Sequence, residues 1–450
     1  MDKGDTYNAI RWFEAAHRAI QHLRGEAPRQ ETKRRISQEN VNLYAQLVAC
    51  CLHENDTTSA FEYTAAGKGR AFVDTLDSTR FDLLVAVADD PTLAQDWQQA
   101  RALRQQIDNI QMQLGGQSGA IADGEQNQRM LFDTLPRLKQ QEKTLWEDLS
   151  YKYPALTATQ QAPMLTTADA QALARELGAT LVEYYYHAEG WCAFVVSPEQ
   201  VQYVTLPAIT EDLMDKMIDR LFKMDDPFCR TNPKLMDEYL HDWHAAVIAP
   251  LREHLPAGGR VMLAPHWVLN FFPIGAACDP QSGRYVCEDY LLAFAPSLSA
   301  LWVMHQQAAK TQPSERGRNS LRVFSAAYAP DIPGLVPATR QTVQAFAPDL
   351  IEQYDRVTPD AIIAAVRQQP APDVLHIAAH GWFDREMPEQ SGLELQGGWL
   401  TVQRIIIEMP LQHTRLVTLA SCLLGRASLE QSGEAVGITQ AFLTAGRGRR

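Results

Sequence analysis

The chain lacks any apolar run of the roughly 18 or more residues that a membrane-spanning helix needs. Its first residues, MDKGDTYNAIRWFEAAH, also lack the uninterrupted apolar segment of a secretory signal. Cysteine is sparse, with seven residues in 450 and no CxxC spacing, so neither a disulfide framework nor a zinc knuckle is indicated. These absences predict a cytoplasmic protein whose thiols are free.

Basic residues are in the minority, which bears on the kind of partner that the protein binds. There are 41 Lys and Arg against 54 Asp and Glu, which gives a formal net charge of −13. Such a balance argues against nucleic-acid binding through bulk electrostatics. A hydrophobic fraction of 46% and a length of 450 residues fit a globular protein with room for two or three domains.

Residues 1–153 have the pattern of a helical region. In TYNAIRWFEAAHRAIQHL, apolar residues recur at three- and four-residue steps, which predicts a helix with one apolar face. A second helix is predicted through ENVNLYAQLVACCLHEND. A third begins in DTTSAFEYTAAGKGRAFVDTL, where Asp56 or Thr57 is suited to cap its N-terminus.

Two helices joined by a short polar turn are also the unit of helical repeats. Tyr44, Leu47 and Ala60 fit the tetratricopeptide pattern, so we expect one degenerate tetratricopeptide-like repeat, with an unrelated helical bundle as the alternative. Farther along, the Gln-rich segments LAQDWQQARALRQQIDNIQMQLGG and NQRMLFDTLPRLKQQEKTLWEDLS are separated by a Gly/Ser/Ala-rich stretch. They predict a long helical hairpin.

After residue 169 the pattern changes to strands. The runs ATLVEYYYH, GWCAFVVS and VQYVTLP are short, β-branched and aromatic, and they predict antiparallel strands at a sheet edge. RVMLAP, YLLAFAP, LRVFSAAY, DVLHIAA and RLVTLAS then alternate with helical stretches, which is typical of a mainly parallel sheet. The predicted fold class is α plus α/β, with a helical, tetratricopeptide-like region at 1–153 and an α/β domain at 169–450.

Two of the predicted parallel strands end on residues that can perform chemistry. DVLHIAAHGWFD predicts a buried strand that stops at His380 and Gly381, where a tight turn is expected. RLVTLASCLLG predicts a second buried strand that ends on Cys422, 42 positions later. The segment between them has the length of a crossover connecting neighbouring parallel strands. Because active sites of such folds lie beyond the carboxyl ends of strands, we expect His380 and Cys422 to meet there.

This pair of residue types indicates nucleophilic catalysis. A thiol with an ordinary pKa of about 8.5 is mostly protonated at neutral pH, and a neighbouring imidazole turns it into a nucleophile. The backbone N–H groups of Gly381 and Cys422 are candidates for an oxyanion hole, where one donor is typically worth about 10² to 10³ in rate. Gly381 has no side chain to obstruct a substrate backbone.

Several motifs occur along the chain in a recognisable order: VMLAPHWVLNFFPIGAA, LLAFAPSLSAL, LHIAAHG, LASCLLG and SGEAVGITQAFLTAG. Together they resemble the CHAT domain, a caspase-like cysteine peptidase domain related to separase that commonly follows tetratricopeptide repeats. The resemblance covers roughly residues 169–450. AFEYTAAGKGRAFVDTL in addition resembles the helical segment that often precedes such domains.

The resemblance implies a caspase-type dyad in which His380 is the general base and Cys422 the nucleophile for cleavage of peptide bonds. It implies that no metal or organic cofactor is required. Leu423 and Leu424 stand where the family usually has an acidic residue and a threonine. The family normally continues past AFLTAG into another strand and further helices, so we expect a domain that ends at RGRR to be truncated at its C-terminus.

Other residues near these motifs have alternative interpretations. His376 and His380 are four residues apart, which on a helix is metal-ligand spacing, but the strand-like run around them favours a hydrogen-bonded core role for His376. His266 follows another strand end and is interpreted as structural. Asp384 and Glu434 are candidates to orient an imidazole or to bind a basic substrate side chain.

The favoured hypothesis is a cytoplasmic cysteine endopeptidase that acts on a protein or peptide substrate. Its N-terminal helices would bind a regulatory partner or the substrate and control access to the cleft. The alternative is a non-catalytic interaction scaffold with an incomplete caspase-like module. A metal-dependent hydrolase using His376 and His380 is a third hypothesis, and neither a nucleic-acid nor a membrane partner is expected.

Overall fold

The computed structural model describes residues 3–27, 30–77, 83–115, 125–153, 161–216, 233–310, 322–346, 351–368, 370–384, 387–421, 428–429 and 435–446. Helices form the N-terminal part of the chain, and strands alternate with helices in the C-terminal part. The predicted fold class, α plus α/β, is confirmed.

Eight helices are described before residue 153. They are α1 (Lys3–Glu26), α2 (Gln30–Glu39), α3 (Val41–His53), α4 (Thr57–Gly67), α5 (Arg70–Asp77), α6 (Leu83–Asp89), α7 (Pro91–Gly115) and α8 (Glu125–Lys152). Helices α7 and α8 pack on each other as the predicted hairpin.

The third helix of the sequence analysis is two helices in the structure. Its N-cap is Asp56, whose carboxylate accepts a hydrogen bond of 2.9 Å from the Ser59 amide and so satisfies one free N–H of the first turn. Helix α4 ends at Gly67, and α5 starts at Arg70 after Gly69, which has a φ of +60°. That left-handed conformation suits glycine and redirects the chain.

A five-stranded sheet follows the helical part. Its strands are β1 (Thr180–His187), β2 (Gly190–Val196), β3 (Val201–Thr205), β4 (Arg260–Ala264) and β5 (Leu291–Phe294), in the order β3-β2-β1-β4-β5. The first three pair antiparallel, as the short aromatic runs predicted, and β1, β4 and β5 are parallel.

A separate four-stranded parallel sheet has the order β12-β8-β6-β7. It consists of β6 (Val323–Tyr328), β7 (Ile351–Asp355), β8 (Val374–Ala379) and β12 (Leu416–Ala420). A three-stranded antiparallel sheet contains β9 (Gly381–Trp382), β10 (Gly392–Leu395) and β11 (Gly398–Thr401), and β13 (Ser428–Leu429) pairs with β14 (Ala435–Val436).

The helices of the α/β part connect and cover these strands. They are α9 (Thr167–Leu177), α10 (Pro233–Trp243), α11 (Val286–Asp289), α12 (Leu298–Lys310), α13 (Leu335–Phe346), α14 (Pro359–Arg367), α15 (Val402–Glu408) and α16 (Ile438–Ala445). One face of β8 buries Leu375, Ile377 and Ala379 in a core shared with α14, α15 and α16. Because strand side chains alternate, His376 and Ala378 lie on the opposite face.

The chain divides into two compact units. The first contains residues 1–77, 160–310 and 429–435, and the second contains 78–159, 311–428 and 436–450. The first unit therefore combines the early helices with the five-stranded sheet. The second combines the α7–α8 hairpin with the four-stranded and three-stranded sheets.

No helix among the described residues is long and apolar enough to cross a membrane. The longest of them, α7 and α8, contain many charged and amide side chains.

A buried ion pair ties the early helices to the five-stranded sheet within the first unit. Lys68, at the end of α4, donates to the Glu183 carboxylate of β1 and also to the backbone carbonyls of Tyr184 and Ala264. The second Glu183 oxygen accepts a hydrogen bond of 2.7 Å from the Leu298 amide at the start of α12. Burial raises the pKa of Glu183 and lowers that of Lys68, so each depends on the other to stay charged.

We expect Lys68→Met to lower the free energy of unfolding by about 3–5 kcal/mol at neutral pH, because it leaves Glu183 buried without its counter-charge. Denaturant unfolding measures the change, with Lys216→Met at an exposed lysine of the same unit as the control. The double variant Lys68→Met/Glu183→Gln should recover part of the loss. Equal loss in the single and double variants would show that the charge is not the cause.

Candidate active site

The candidate site lies where three parallel strands end side by side. Strand β8 is hydrogen-bonded to β6 on one side and to β12 on the other, and all three run in the same direction. Ala378 is in register with Ala420 of β12 and with Ala327 of β6. Residues that follow these positions are therefore directed toward one edge of the sheet.

The pairing of β8 with β12 gives the crossover that the sequence predicted. Each of the five residues from Val374 to Ala378 is in register with the residue 42 positions later on β12, and the same spacing separates His380 from Cys422. The described chain continues past β12 to Ser421, and residues 422–427, which include Cys422, lie outside the described residues. Glu434 also lies outside them.

His380 follows β8 directly and is held by its backbone and by its ring. Its carbonyl accepts a hydrogen bond of 2.8 Å from the Glu394 amide of β10. Its ring nitrogen Nε2 is 2.7 Å from Oδ1 of Asp331, and 31% of its side chain is exposed. The imidazole is thus both oriented by the protein and reachable from solvent.

Asp331 is a member of the site that the sequence analysis missed. It lies three residues beyond the end of β6, and β6 is the strand that pairs with β8. The hydrogen bond from His380 holds the pKa of this carboxyl below its ordinary value. A carboxylate can only accept, so Nε2 carries the proton and Nδ1 is left as the basic nitrogen of a neutral ring.

A signal for Asp331 was present in the sequence. LRVFSAAY was predicted as a parallel strand, and the acidic residue that follows it in APD obeys the same strand-end rule as His380 and Cys422. What the pattern does not reveal is that β6, rather than another strand, is the neighbour of β8.

The tight turn expected at His380 and Gly381 is wrong. Gly381 and Trp382 form β9, which pairs antiparallel with Gly392 and Leu393 of β10. The chain therefore passes from β8 through His380 into a second sheet with extended backbone. The role of Gly381 as an oxyanion donor stays a prediction.

Asp384 is close to His380 in sequence, but its carboxylate has other partners. Oδ2 accepts a 2.6 Å hydrogen bond from Lys139 of α8, and Oδ1 accepts one of 3.0 Å from the Met387 amide. The imidazole is bonded to Asp331 and not to Asp384.

His376 lies within β8 and bonds across the sheet. Its Nδ1 is 2.7 Å from the Thr418 hydroxyl of β12, and burial lowers its pKa. Across the described part of the chain, no three His, Cys, Asp or Glu side chains are grouped so as to hold a metal ion.

His266 is fully enclosed in the first unit. Its ring centroid lies 4.9 Å from that of Tyr185, and burial, together with the charge of Lys68, lowers its pKa well below the ordinary value. A neutral, enclosed imidazole packed among aromatic rings agrees with the structural role expected for it.

The described cysteines differ from a nucleophile in their surroundings. Cys50, Cys51, Cys192 and Cys278 are buried free thiols, and burial raises the pKa of Cys51 to about 12. Such thiols are inert at neutral pH. Cys287 is free and exposed, and it therefore serves as an internal reference for reactivity.

Comparison with known proteins identifies the region that carries this site. No curated protein matches the chain. The family model of the CHAT domain matches residues 237–449, a segment that contains Asp331, His380 and the sequence position of Cys422. CHAT domains have a caspase-like fold related to that of cysteine peptidases, which agrees with the parallel sheet β12-β8-β6-β7. The chain therefore contains a CHAT domain, matched over residues 237–449.

Proposed function

We propose that this protein is a cysteine endopeptidase in which His380 is the general base and Cys422 the nucleophile. The observation that supports the proposal most is the parallel register of β8 and β12, because their last paired residues, Ala378 and Ala420, lie two residues before positions 380 and 422. The orientation of His380 by Asp331 supports it further, because a general base needs a defined tautomer.

In the proposed reaction Nδ1 of His380 takes the proton from the Cys422 thiol, and the sulfur attacks the carbonyl carbon of the scissile peptide bond. The resulting oxyanion accepts hydrogen bonds from backbone N–H groups, for which Gly381 and Cys422 remain the candidates. The imidazolium then gives its proton to the departing amine. Water, deprotonated by the same imidazole, hydrolyses the thioester and releases the acid.

Asp331 acts in this scheme as a positioning residue. Its carboxylate accepts a hydrogen bond from Nε2–H of His380 and stabilises the positive charge that the ring carries during acylation. Because its pKa is held below the ordinary value, it stays charged from neutral into weakly acidic solution. The pair is exposed on one side, since 69% of the Asp331 side chain is accessible, so its effect should be smaller than that of an enclosed triad acid.

The proposed substrate is a protein or peptide. A regulatory protein bound to the N-terminal helices is the proposed means of control, and the cytoplasm is the proposed location. The five described cysteines are all free, which supports a reducing compartment.

We expect Cys422 to be alkylated by iodoacetamide at about pH 6.5 faster than Cys287, because an ordinary thiol is only about 1% thiolate two pH units below its pKa. His380→Ala should remove this advantage, a loss on the order of 10- to 100-fold. Mass mapping of the labelled peptides gives both rates in one sample.

His305→Ala is the control, since His305 also bonds a carboxylate and has similar exposure, but lies in the first unit. If Cys422 reacts no faster than Cys287 and is indifferent to His380→Ala, the peptidase proposal fails and the interaction scaffold is favoured.

We expect Asp331→Asn to lower kcat/KM, or the Cys422 alkylation rate in the absence of a known substrate, by roughly 10- to 100-fold. An amide can donate a hydrogen bond to Nε2 and so stabilise the tautomer that carries its proton on Nδ1. In that tautomer Nδ1 cannot take the proton of the thiol. The rate is measured against pH.

Asp355→Asn is the matched control, because Asp355 ends the neighbouring strand β7 and is bonded to Arg340. An Asp331→Asn protein with the pH profile of the parent would remove Asp331 from the mechanism.

A further inference from the structure

We infer that Lys139, on α8 of the helical hairpin, is a positioning residue for His380 and that the hairpin is thereby part of the catalytic apparatus. The inference rests on the proposed function of His380. It adds to that function a point of control that lies outside residues 237–449, the segment matched by the CHAT family.

Lys139 contacts the segment immediately after His380 in two ways. Its Nζ donates a 2.6 Å hydrogen bond to Oδ2 of Asp384 and lies 4.4 Å from the ring centroid of Trp382. Only 8% of the Lys139 side chain and 11% of the Asp384 side chain are exposed. An ion pair and a cation–π contact that are shielded from water hold more firmly than surface pairs do.

The segment held by Lys139 also holds the backbone of His380. The Asp384 amide donates to the Ser391 hydroxyl at 3.0 Å, which closes the loop between β9 and β10. The adjoining strands pair through Trp382 and Gly392, and the Glu394 amide of β10 donates to the His380 carbonyl. A displacement of this loop is therefore transmitted to His380 through two residues of extended backbone and one direct hydrogen bond.

The other helix of the hairpin is seated on the same three-stranded sheet. The Trp399 amide of β11 donates to Oδ2 of Asp108 on α7 at 3.5 Å, and the Trp399 ring lies 5.9 Å from that of Trp382. A methyl group at Gly398 would come within 2.8 Å of the same Asp108 oxygen, so a larger residue there would displace the Asp108 carboxylate. Asp108 therefore fixes where the turn before β11 can lie.

Buried ion pairs link the two helices at this place. Arg104 of α7 donates to Asp108 at 2.7 Å and to Glu142 of α8 at 3.3 Å. All three side chains are buried. The position of Lys139 on α8 is thus tied to that of Asp108 on α7.

A cavity of about 460 Å³ lies beside these contacts, between the hairpin and the turn that joins β10 to β11. Trp97, Trp146 and Glu142 line it from the hairpin, and Gly397 and Arg404 line it from the other side. The contacts of Lys139 and Asp108, together with the packing of Ile407 of α15 against Trp97 and its apolar neighbours on the hairpin, define the position of the hairpin. A partner that shifted the hairpin would act on His380 through Lys139.

The test compares Lys139→Met, which removes the charge and keeps an apolar side chain, with Lys143→Met one turn farther along α8. Lys143 is exposed and is the matched control. Hydrogen exchange of peptides covering residues 380–395 is measured in the full chain, together with Cys422 alkylation against pH. We expect Lys139→Met to speed exchange in these peptides and to slow alkylation at about pH 6.5 by roughly tenfold to 10²-fold. Lys143→Met should change neither.

A structural role alone would lower stability without moving the pH profile. The thermal midpoint is therefore measured for each variant, and alkylation is compared well below the lowest midpoint. Lys139→Arg should restore most of the rate, because a guanidinium can both pair with Asp384 and stack on Trp382. An unchanged pH profile in Lys139→Met, with alkylation in the parent still dependent on His380, would overturn the inference.

The proposed function and this inference fail in different ways. If alkylation in the parent is independent of His380, the peptidase proposal fails whatever Lys139 does. If exchange near His380 is the same in Lys139→Met and Lys143→Met, Lys139 does not hold the loop even if the peptidase proposal is correct.

Discussion

Parallel pairing of β12, β8 and β6 is the constraint on which the candidate active site depends. Backbone hydrogen bonds fix the register of these strands, and one slipped residue would turn every side chain to the opposite face. With this register Leu375 and Ile377 are buried, His376 bonds to Thr418, and Asp331 and His380 come within hydrogen-bonding distance. Sequence separations of 49 and 42 residues are thereby reduced to contacts between neighbours.

Charge is distributed differently at the site and in the supporting structure. The Asp331–His380 pair is partly exposed, as a group that exchanges protons with a substrate has to be. The Lys139–Asp384 and Lys68–Glu183 pairs are shielded, and within each compact unit they join a helical segment of the N-terminal part to the C-terminal part, at the loop after β9 and at strand β1. Removing one partner of a shielded pair is costly, so these contacts specify where the helices sit.

Much of this architecture was predictable from local patterns. The runs ATLVEYYYH and DVLHIAA are strands, the Gln-rich segments are a hairpin, and Asp56 caps its helix, because each depends on residues close in the chain. The break between α4 and α5 and the short strands β9, β10 and β11, of which β9 directly follows His380, were not predicted. Two- to four-residue strands have too few positions for their alternation to be recognised, and these three form because they pair with one another through β10.

The sequence alone determined the fold class, the CHAT domain at residues 237–449 and the residue types available at the strand ends, since these follow from apolar periodicity and from motifs in a fixed order. The tertiary structure decided which acid orients the imidazole. Asp331, Asp384 and Glu434 are equally plausible along the chain, but strand order places β6 beside β8, and Lys139 and the Met387 amide occupy the carboxylate of Asp384. The tertiary structure likewise decided that α8 contacts the loop after His380. The hydrogen bond between Lys139 and Asp384 spans 245 residues, so it depends on packing and not on a local sequence pattern.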